Sequence, residues 1–337
     1  MNRPGLILVA DRIAEVIDLA RRAEDAGFGS VWTVEFYNRN GLVVLGQVAA
    51  ATRRLKVGTG ISYAYMRTPV LSAAAAMDID EISGGRMILG LGSGTKSMNE
   101  SWYGVPFEPR SAPKMKEAVA LIRQLFAAAG GGRIKFDGEF YKIRIPMFIR
   151  PHAARETIPI YLAAVQKGML RAAGEVADGL VGHPIYTRRY LRELVHPNLK
   201  IGLDRARRER RQFDLASYVI TSISSDRAQA LREAKGQIAF YATARSYEGI
   251  LDLHGWQEAK AGIYEAFKTF DFGKMASFVS DEMVAEIAVT GTPDECRQKL
   301  RKWEGLIDTP LLYSPSIGVS PERVLENNRS IVETFAG

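Results

Sequence analysis

The sequence predicts an α/β fold, a (β/α)8 TIM barrel with insertions, on three observations. Short apolar runs rich in β-branched residues alternate with longer helix-patterned stretches from one end to the other, the signature of βα units feeding a parallel sheet. Eight such pairs can be traced along the chain. The 337 residues also exceed the length of about 250 usual for a plain barrel, which leaves room for insertions. A doubly wound sheet is the rival arrangement.

Taken in order, the strand candidates are LILVA (6–10), GSVWTV (29–34), LKVGTGIS (55–62), RMILGLG (86–92), IPIYLAA (158–164), DGLVGH (178–183), ASYVITSIS (216–224) and PLLYS (310–314). Between the first two, Ile13, Val16, Ile17, Ala20 and Ala23 form an apolar stripe, with Asp11 placed to cap the helix and Gly27 to end it. Further helices are expected at 42–53, 70–83, 113–128, 168–176, 187–210, 226–252, 293–305 and 321–335. In GTPDE, Thr292 takes the cap position and Pro293 the first helical position of its helix. GGGRIKFDGEFYKI (130–143) reads as a hairpin turning at Asp137 and Gly138, within an insertion of about 129–150. A second insertion, 253–290, carries extra helical material, and the whole chain is read as one domain, 1–337.

Composition narrows the functional classes. With 47% hydrophobic and 25% charged residues the chain buries a sizeable core. The net charge of +7 comes from bases interleaved with acids, so no basic stripe follows a nucleic-acid backbone. The dense run RARRERR (205–211) is read as a solvated helix face. One cysteine, Cys296, leaves neither an internal disulfide nor a cysteine-rich zinc cluster, and cytoplasmic residence is the default expectation. No apolar run reaches the length of a membrane span, and the N-terminal apolar stretch is too short for a signal peptide.

In a barrel the ligand meets the residues that close each strand. These are Glu35 to Asn38, Gly60 to Tyr63, Gly92 to Thr95, Ala164 to Gly168, His183 and Ser314 to Ser316. The stretch RMILGLGSGTKS (86–97) nearly matches a P-loop, but Thr95 stands where the triphosphate turn requires glycine. A dinucleotide fingerprint fails for want of its third glycine, and a nucleophile elbow fails because Gly92 directly precedes Ser93. The four histidines are scattered with no carboxylate at metal-ligand spacing, so no metal site is expected. What remains is a glycine-rich concave site whose bare N–H groups and apolar walls suit a flat cofactor that carries its own chemistry.

The segment GTGISYAYMRTPVLSAAAAMDIDEISGGRMILGLGSG (58–94) resembles the bacterial luciferase-like superfamily, through its R-x-P, D-E-x-S-G-G-R and L-G-x-G-x-G elements. VWTVEFYNRN (31–40), IPIYLAAVQKGMLRAAGEVADGLVGHP (158–184), the stretch 270–295 and SPSIGVSPE (314–322) resemble, more narrowly, methylenetetrahydromethanopterin reductase and its bacterial relatives, which use coenzyme F420. The resemblance implies a deazaflavin at the strand ends, with FMN as the alternative cofactor. It also implies a non-proline cis peptide at Gly60 to Ile61, behind the ring. Carried over residue by residue, Glu35 is a ring-contacting acid, Ser62 follows the bulge, Gly92, Ser93 and Gly94 lie at the ring edge, and Asn99 adds a contact. Ala164, Val165, Gln166, Lys167 and Gly168, with His183, would hold the phosphate and ribityl tail.

Two departures bear on the reaction. Relatives that oxidise alcohols carry a histidine base where this chain has Phe36, and many have an acid where it has Thr95. Removing a hydroxyl proton needs a base near the carbinol, so the expected reaction is hydride delivery to a C=C or C=N bond of a small molecule, with Glu35, Tyr37 or Tyr63 as candidate proton donors. An FMN-dependent monooxygenase, a non-catalytic flavin-binding protein and, on the opening motif alone, a P-loop phosphotransferase are the competing readings. Phe36, Tyr37, Tyr63, Tyr65, Met66, Trp102 and Tyr103, with Tyr241, Tyr247 and Trp256, are expected to shape the substrate pocket. Nucleic acid and membrane are not expected as partners, while a homo-oligomer, dimer or tetramer, is.

Overall fold

The computed structural model describes residues 1–150 and 152–337. In chain order its elements begin with β1 (Gly5–Leu8), α1 (Ile13–Asp25), β2 (Ser30–Thr33), α2 (Gly41–Ala51), β3 (Lys56–Thr59), β4 (Ser62–Tyr63), α3 (Pro69–Ser83) and β5 (Met87–Gly92). There follow α4 (Ser111–Ala127), the hairpin β6 (Gly132–Asp137) and β7 (Lys142–Phe148), β8 (Ile160–Ala163), α5 (Lys167–Val176), β9 (Gly179–Gly182), α6 (Arg188–Tyr190) and α7 (His196–Arg205). The remainder comprises β10 (Asp214–Ile223), α8 (Arg227–Ala242), α9 (Glu248–His254), α10 (Gln257–Phe267), α11 (Phe272–Ser277), α12 (Asp281–Ile287), β11 (Ala288–Gly291), α13 (Pro293–Arg301), β12 (Thr309–Tyr313) and α14 (Pro321–Thr334). The fold is the expected (β/α)8 barrel, with β1, β2, β3, β5, β8, β9, β10 and β12 as its strands.

The chain forms two compact units, one of Met1–Val31, Gly182–Pro197 and Leu215–Gly337, the other of Trp32–Val181 and Asn198–Asp214. Within the second, β3, β5, β8 and β9 pair in parallel in that order, and β4 adds to β5 through Ser62 opposite Leu91 and Tyr63 opposite Gly92. Within the first, β11, β10, β12 and β1 follow one another, again in parallel. Strands β5 and β9 are buried along their whole length, which is why they read as unbroken apolar and glycine runs rather than as alternating patterns.

Several local expectations are corrected. Helix α1 starts one residue late, with Arg12 at the cap and Glu15 accepting the Arg12 N–H at 3.1 Å, so Asp11 is not the cap. Its buried stripe is Val16, Leu19, Ala20 and Ala23, while Ile13 is exposed. The predicted third strand is interrupted between β3 and β4, and an additional strand, β11, pairs with β10 inside the predicted insertion. The helix expected over 226–252 breaks after Ala242 and resumes at Glu248. The run 205–211 is not a helix face: α7 ends at Arg205, Arg207 has a φ of 54°, and Arg208 turns inward to donate to the Ala177 carbonyl at 2.5 Å. Lysine and arginine side chains near a helix C-terminus satisfy its orphan carbonyls in this way.

The predicted cap of α13 is present, with Thr292 accepting from Glu295 and Glu295 accepting from Thr292 at 2.9 Å. The hairpin turns over Gly138–Tyr141, where the Glu117 carboxylate of α4 accepts the N–H groups of Glu139, Phe140 and Tyr141. Among the described residues no helix is long and apolar enough to cross a membrane.

Candidate functional site

The segment after β2 and the bulge after β3 converge on one carboxylate. Glu35 is buried, and its Oε2 accepts from Arg67 Nη1 at 2.6 Å, from the Tyr63 N–H at 3.2 Å and from Ser62 Oγ at 3.3 Å. Arg67 Nη2 holds the other oxygen, completing a two-pronged ion pair of the kind that fixes orientation as well as charge. The bond to Glu35 pushes the Arg67 guanidinium above its ordinary value. Arg67 Nη1 also reaches Ser62 Oγ at 3.2 Å. Arg67 belongs to the R-x-P element, yet sequence reasoning gave it no role. The signal was a basic residue directly before a helix start, and what made it unreadable was the 32-residue separation from Glu35.

The peptide between Gly60 and Ile61 is cis, as the resemblance implies, and the Gly60 N–H is held by the Thr33 carbonyl at 2.8 Å. Ile61 packs against the end of β5: a side chain begun at Gly92 would meet the Ile61 Cδ1 methyl at 1.9 Å. The bareness of Gly92 is thus taken up by Ile61 within the protein itself.

Beyond β5 the chain enters a short helical turn that continues as a π-helical turn, Met98–Trp102, closed by Tyr103 N–H to the Met98 carbonyl at 3.2 Å. Asn99 anchors it, its buried Nδ2 donating to the carbonyls of Ser93 at 2.9 Å and Thr95 at 2.8 Å. Thr95 is a capping residue here, its Oγ1 accepting from the Met98 N–H at 3.2 Å. Lys96 lies exposed beside Glu100, so the P-loop likeness of this stretch has no counterpart in three dimensions. Gly94 has a φ of 68°, and a side chain there would press on Asn99 and Met66. π-helical turns recur at functional sites.

Two buried polar atoms on this turn, Asn99 Oδ1 and the Tyr103 hydroxyl, have no hydrogen-bond partner among the described residues. Buried polar groups are nearly always paired, so each exception asks for an explanation. The Tyr103 ring lies 5.7 Å from that of Tyr63. Tyr37 stands apart, exposed, in a cluster with Phe36 and Trp102 whose ring centroids are 4.5 and 5.6 Å from its own. The turn from β8 into α5 places Ala164 inside and leaves Gln166, Lys167 and Gly168 exposed, with no side chain capping the helix.

His183 belongs to the other unit. There its ring lies 3.8 Å from Tyr247 and 5.1 Å from Tyr241, and the Tyr241 and Tyr313 hydroxyls are 3.2 Å apart. Burial pushes the imidazole down to about 3, so the ring is neutral near pH 7. Nδ1 accepts from the Ile185 N–H at 3.4 Å, which leaves Nε2 to carry the proton. Of the pocket residues expected in this unit, Trp256 instead stacks on His254 at 4.1 Å, and His254 bonds Thr187. Among the described residues no group of three or more His, Cys, Asp or Glu is arranged to hold a metal ion.

The luciferase-like monooxygenase family model matches residues 2–309. The 5,10-methylenetetrahydromethanopterin reductase of Archaeoglobus fulgidus is 32% identical over 330 residues, 96% of each chain. The structure of the coenzyme F420-dependent tetrahydromethanopterin reductase of Methanopyrus kandleri superposes with a TM-score of 0.81 at 25% identity, over 99% of each chain. An F420-dependent secondary alcohol dehydrogenase shares the fold, with a TM-score of 0.76 at 17% identity over the full length of both chains.

Proposed function

The chain belongs to the luciferase-like monooxygenase family, and from that premise we propose that it is a coenzyme F420-dependent oxidoreductase that reduces a C=C or C=N bond of a small organic substrate. The observation that carries the direction of the reaction is the state of Glu35. Both its oxygens are engaged by Arg67, Ser62 and the Tyr63 amide, and Phe36 and Thr95 offer no base beside it. A site that oxidised an alcohol would need a group free to take the hydroxyl proton.

The residues present suit a flat, hydrogen-bonding cofactor. The buried, unpartnered Asn99 Oδ1 next to the Ser93–Gly94 turn awaits a donor, which the N–H of a deazaflavin or flavin ring would provide. In this reading Glu35, Gly60, Ile61, Ser62, Ser93, Gly94 and Asn99 hold the ring, with Gly92 leaving room for Ile61, while Ala164, Val165, Gln166, Lys167 and Gly168 hold the tail. Reduced F420, when bound, supplies a hydride. The protein's share is to orient the acceptor and provide a proton. The name of the Methanopyrus structure favours F420 over FMN.

Anaerobic mixing of the protein with reduced F420 and a panel of enones and imines tests this. Oxidation of the coenzyme that depends on one of these acceptors supports the reading. Oxygen-dependent turnover with reduced FMN instead would replace it with the monooxygenase reading, and tight binding without turnover would leave a binding protein. Self-association is proposed through α2 and α3, which leave Val43 and Leu71 exposed, and sedimentation velocity tests it.

A further inference from the structure

Near Glu35, the Tyr103 hydroxyl has no hydrogen-bond partner among the described residues. It is buried, its ring packs on Tyr63, and it feels the charges of both Glu35 and Arg67. Glu35 has no free oxygen, and Tyr37 lies exposed in a separate ring cluster. The segment that carries Tyr103 runs between Gly94 and Gly104, whose φ values are 68° and 65°. Among the described residues, no atom beyond its chain neighbours lies within 4 Å of where a side chain at Gly104 would begin, and the bond from the Val105 N–H to the Asn99 carbonyl, at 2.9 Å, is what ties this end of the segment down. Asn99 Oδ1, the other unpartnered atom, sits on the same turn. Two orphaned groups on one segment bounded by left-handed glycines describe a turn that completes its hydrogen bonding only with a ligand.

We propose that Tyr103 is the catalytic proton donor of the reduction, delivered to the substrate by rotation of the Gly94–Gly104 segment. The proposal rests on the reductase reading and narrows its substrate to a neutral acceptor, either an alkene conjugated to a carbonyl or an uncharged imine. One carbon of the double bond accepts the hydride supplied by reduced F420 and the π pair moves to the far atom. That atom takes the proton from the Tyr103 oxygen, and the phenolate recovers a proton from water. Arg67 stabilises the phenolate and Glu35 opposes it, while Tyr63 packs against the ring. Burial raises the Tyr103 phenol above its ordinary value, which keeps it protonated throughout the neutral range.

The experiment compares the full-length protein with Tyr103→Phe and with site-specific 3-fluorotyrosine at position 103. Turnover of an enone or imine by reduced F420 is followed across pH, and F420 affinity is read by fluorescence quenching. The phenylalanine variant is expected to lose at least about 100-fold in kcat, with F420 affinity changed less than about threefold. Fluorotyrosine, a stronger acid, is expected to fold as the native residue does and to move the alkaline limb of the kcat profile to lower pH. Independently of activity, the resonance of a 13C-labelled tyrosine at position 103 is expected to shift when the acceptor binds. Wild-type turnover with an unchanged kcat in Tyr103→Phe, or an alkaline limb that fluorotyrosine does not move, overturns the proposal alone. A wild-type protein that reduces no such acceptor with reduced F420 overturns the reductase reading with it.

Discussion

In the Trp32–Val181 unit, the strand ends bury an ion pair, with Glu35 gripped by Arg67 on both oxygens. Around His183 and the end of β12, in the Gly182–Pro197 and Leu215–Gly337 segments, the polar groups are neutral instead: an imidazole held unprotonated by burial and tyrosines whose phenols burial raises. The difference concerns how each region keeps its shape. A buried charge needs its partner, whereas an aromatic cluster packs mainly by contact and tolerates the loss of a single hydrogen bond.

The sharpest break in that contrast is Arg67→Met. It leaves Glu35 buried without its counter-charge and is expected to lower stability by about 3–5 kcal/mol, measured by denaturant unfolding. Glu35→Gln combined with Arg67→Met should recover most of the loss. A cost below about 1 kcal/mol for the single change would mean that the pair is held no more firmly than a surface bridge. Next comes Gly92→Ala, whose new methyl would collide with Ile61 Cδ1. A cost of about 1–3 kcal/mol is expected from overpacking, and Ile61→Val, which removes that methyl, should relieve part of it.

For the neutral region the test is pH. His183 is held at about 3 in the folded protein, far below its ordinary 6.5, so between those values the unfolded chain binds more protons. Its contribution to stability is therefore complete above 6.5 and is lost as pH falls toward 3. Between pH 7 and pH 5 the loss should be about 1–2 kcal/mol, and His183→Asn should flatten this part of the profile. The smallest effect expected is that of Tyr241→Phe, which removes the hydroxyl contact to Tyr313 and should cost about 0.5–1.5 kcal/mol.

The barrel strands were legible because apolar, β-branched runs survive in sequence wherever a strand is covered on both faces, as in β5 and β9. Glu35 and Ser62 were named as neighbours of one ligand, and they do meet. Arg67 was missed because an ion pair across 32 residues leaves no local pattern. The break after Ala242 and the inward turn of Arg208 were missed for a related reason. Helical periodicity continues through both stretches, and only tertiary partners, such as the Ala177 carbonyl for Arg208, decide where the helix stops. The unpartnered Tyr103 hydroxyl could not be anticipated at all, since it is defined by what surrounds it.

The central claim, that the site is built for a deazaflavin, is tested most directly by titrating the purified protein with F420 and with FMN and following fluorescence. The account predicts an F420 dissociation constant at or below the micromolar range, about −8 kcal/mol, with FMN bound at least about tenfold more weakly. Tighter binding of FMN, or no binding of either cofactor at that concentration, would contradict it.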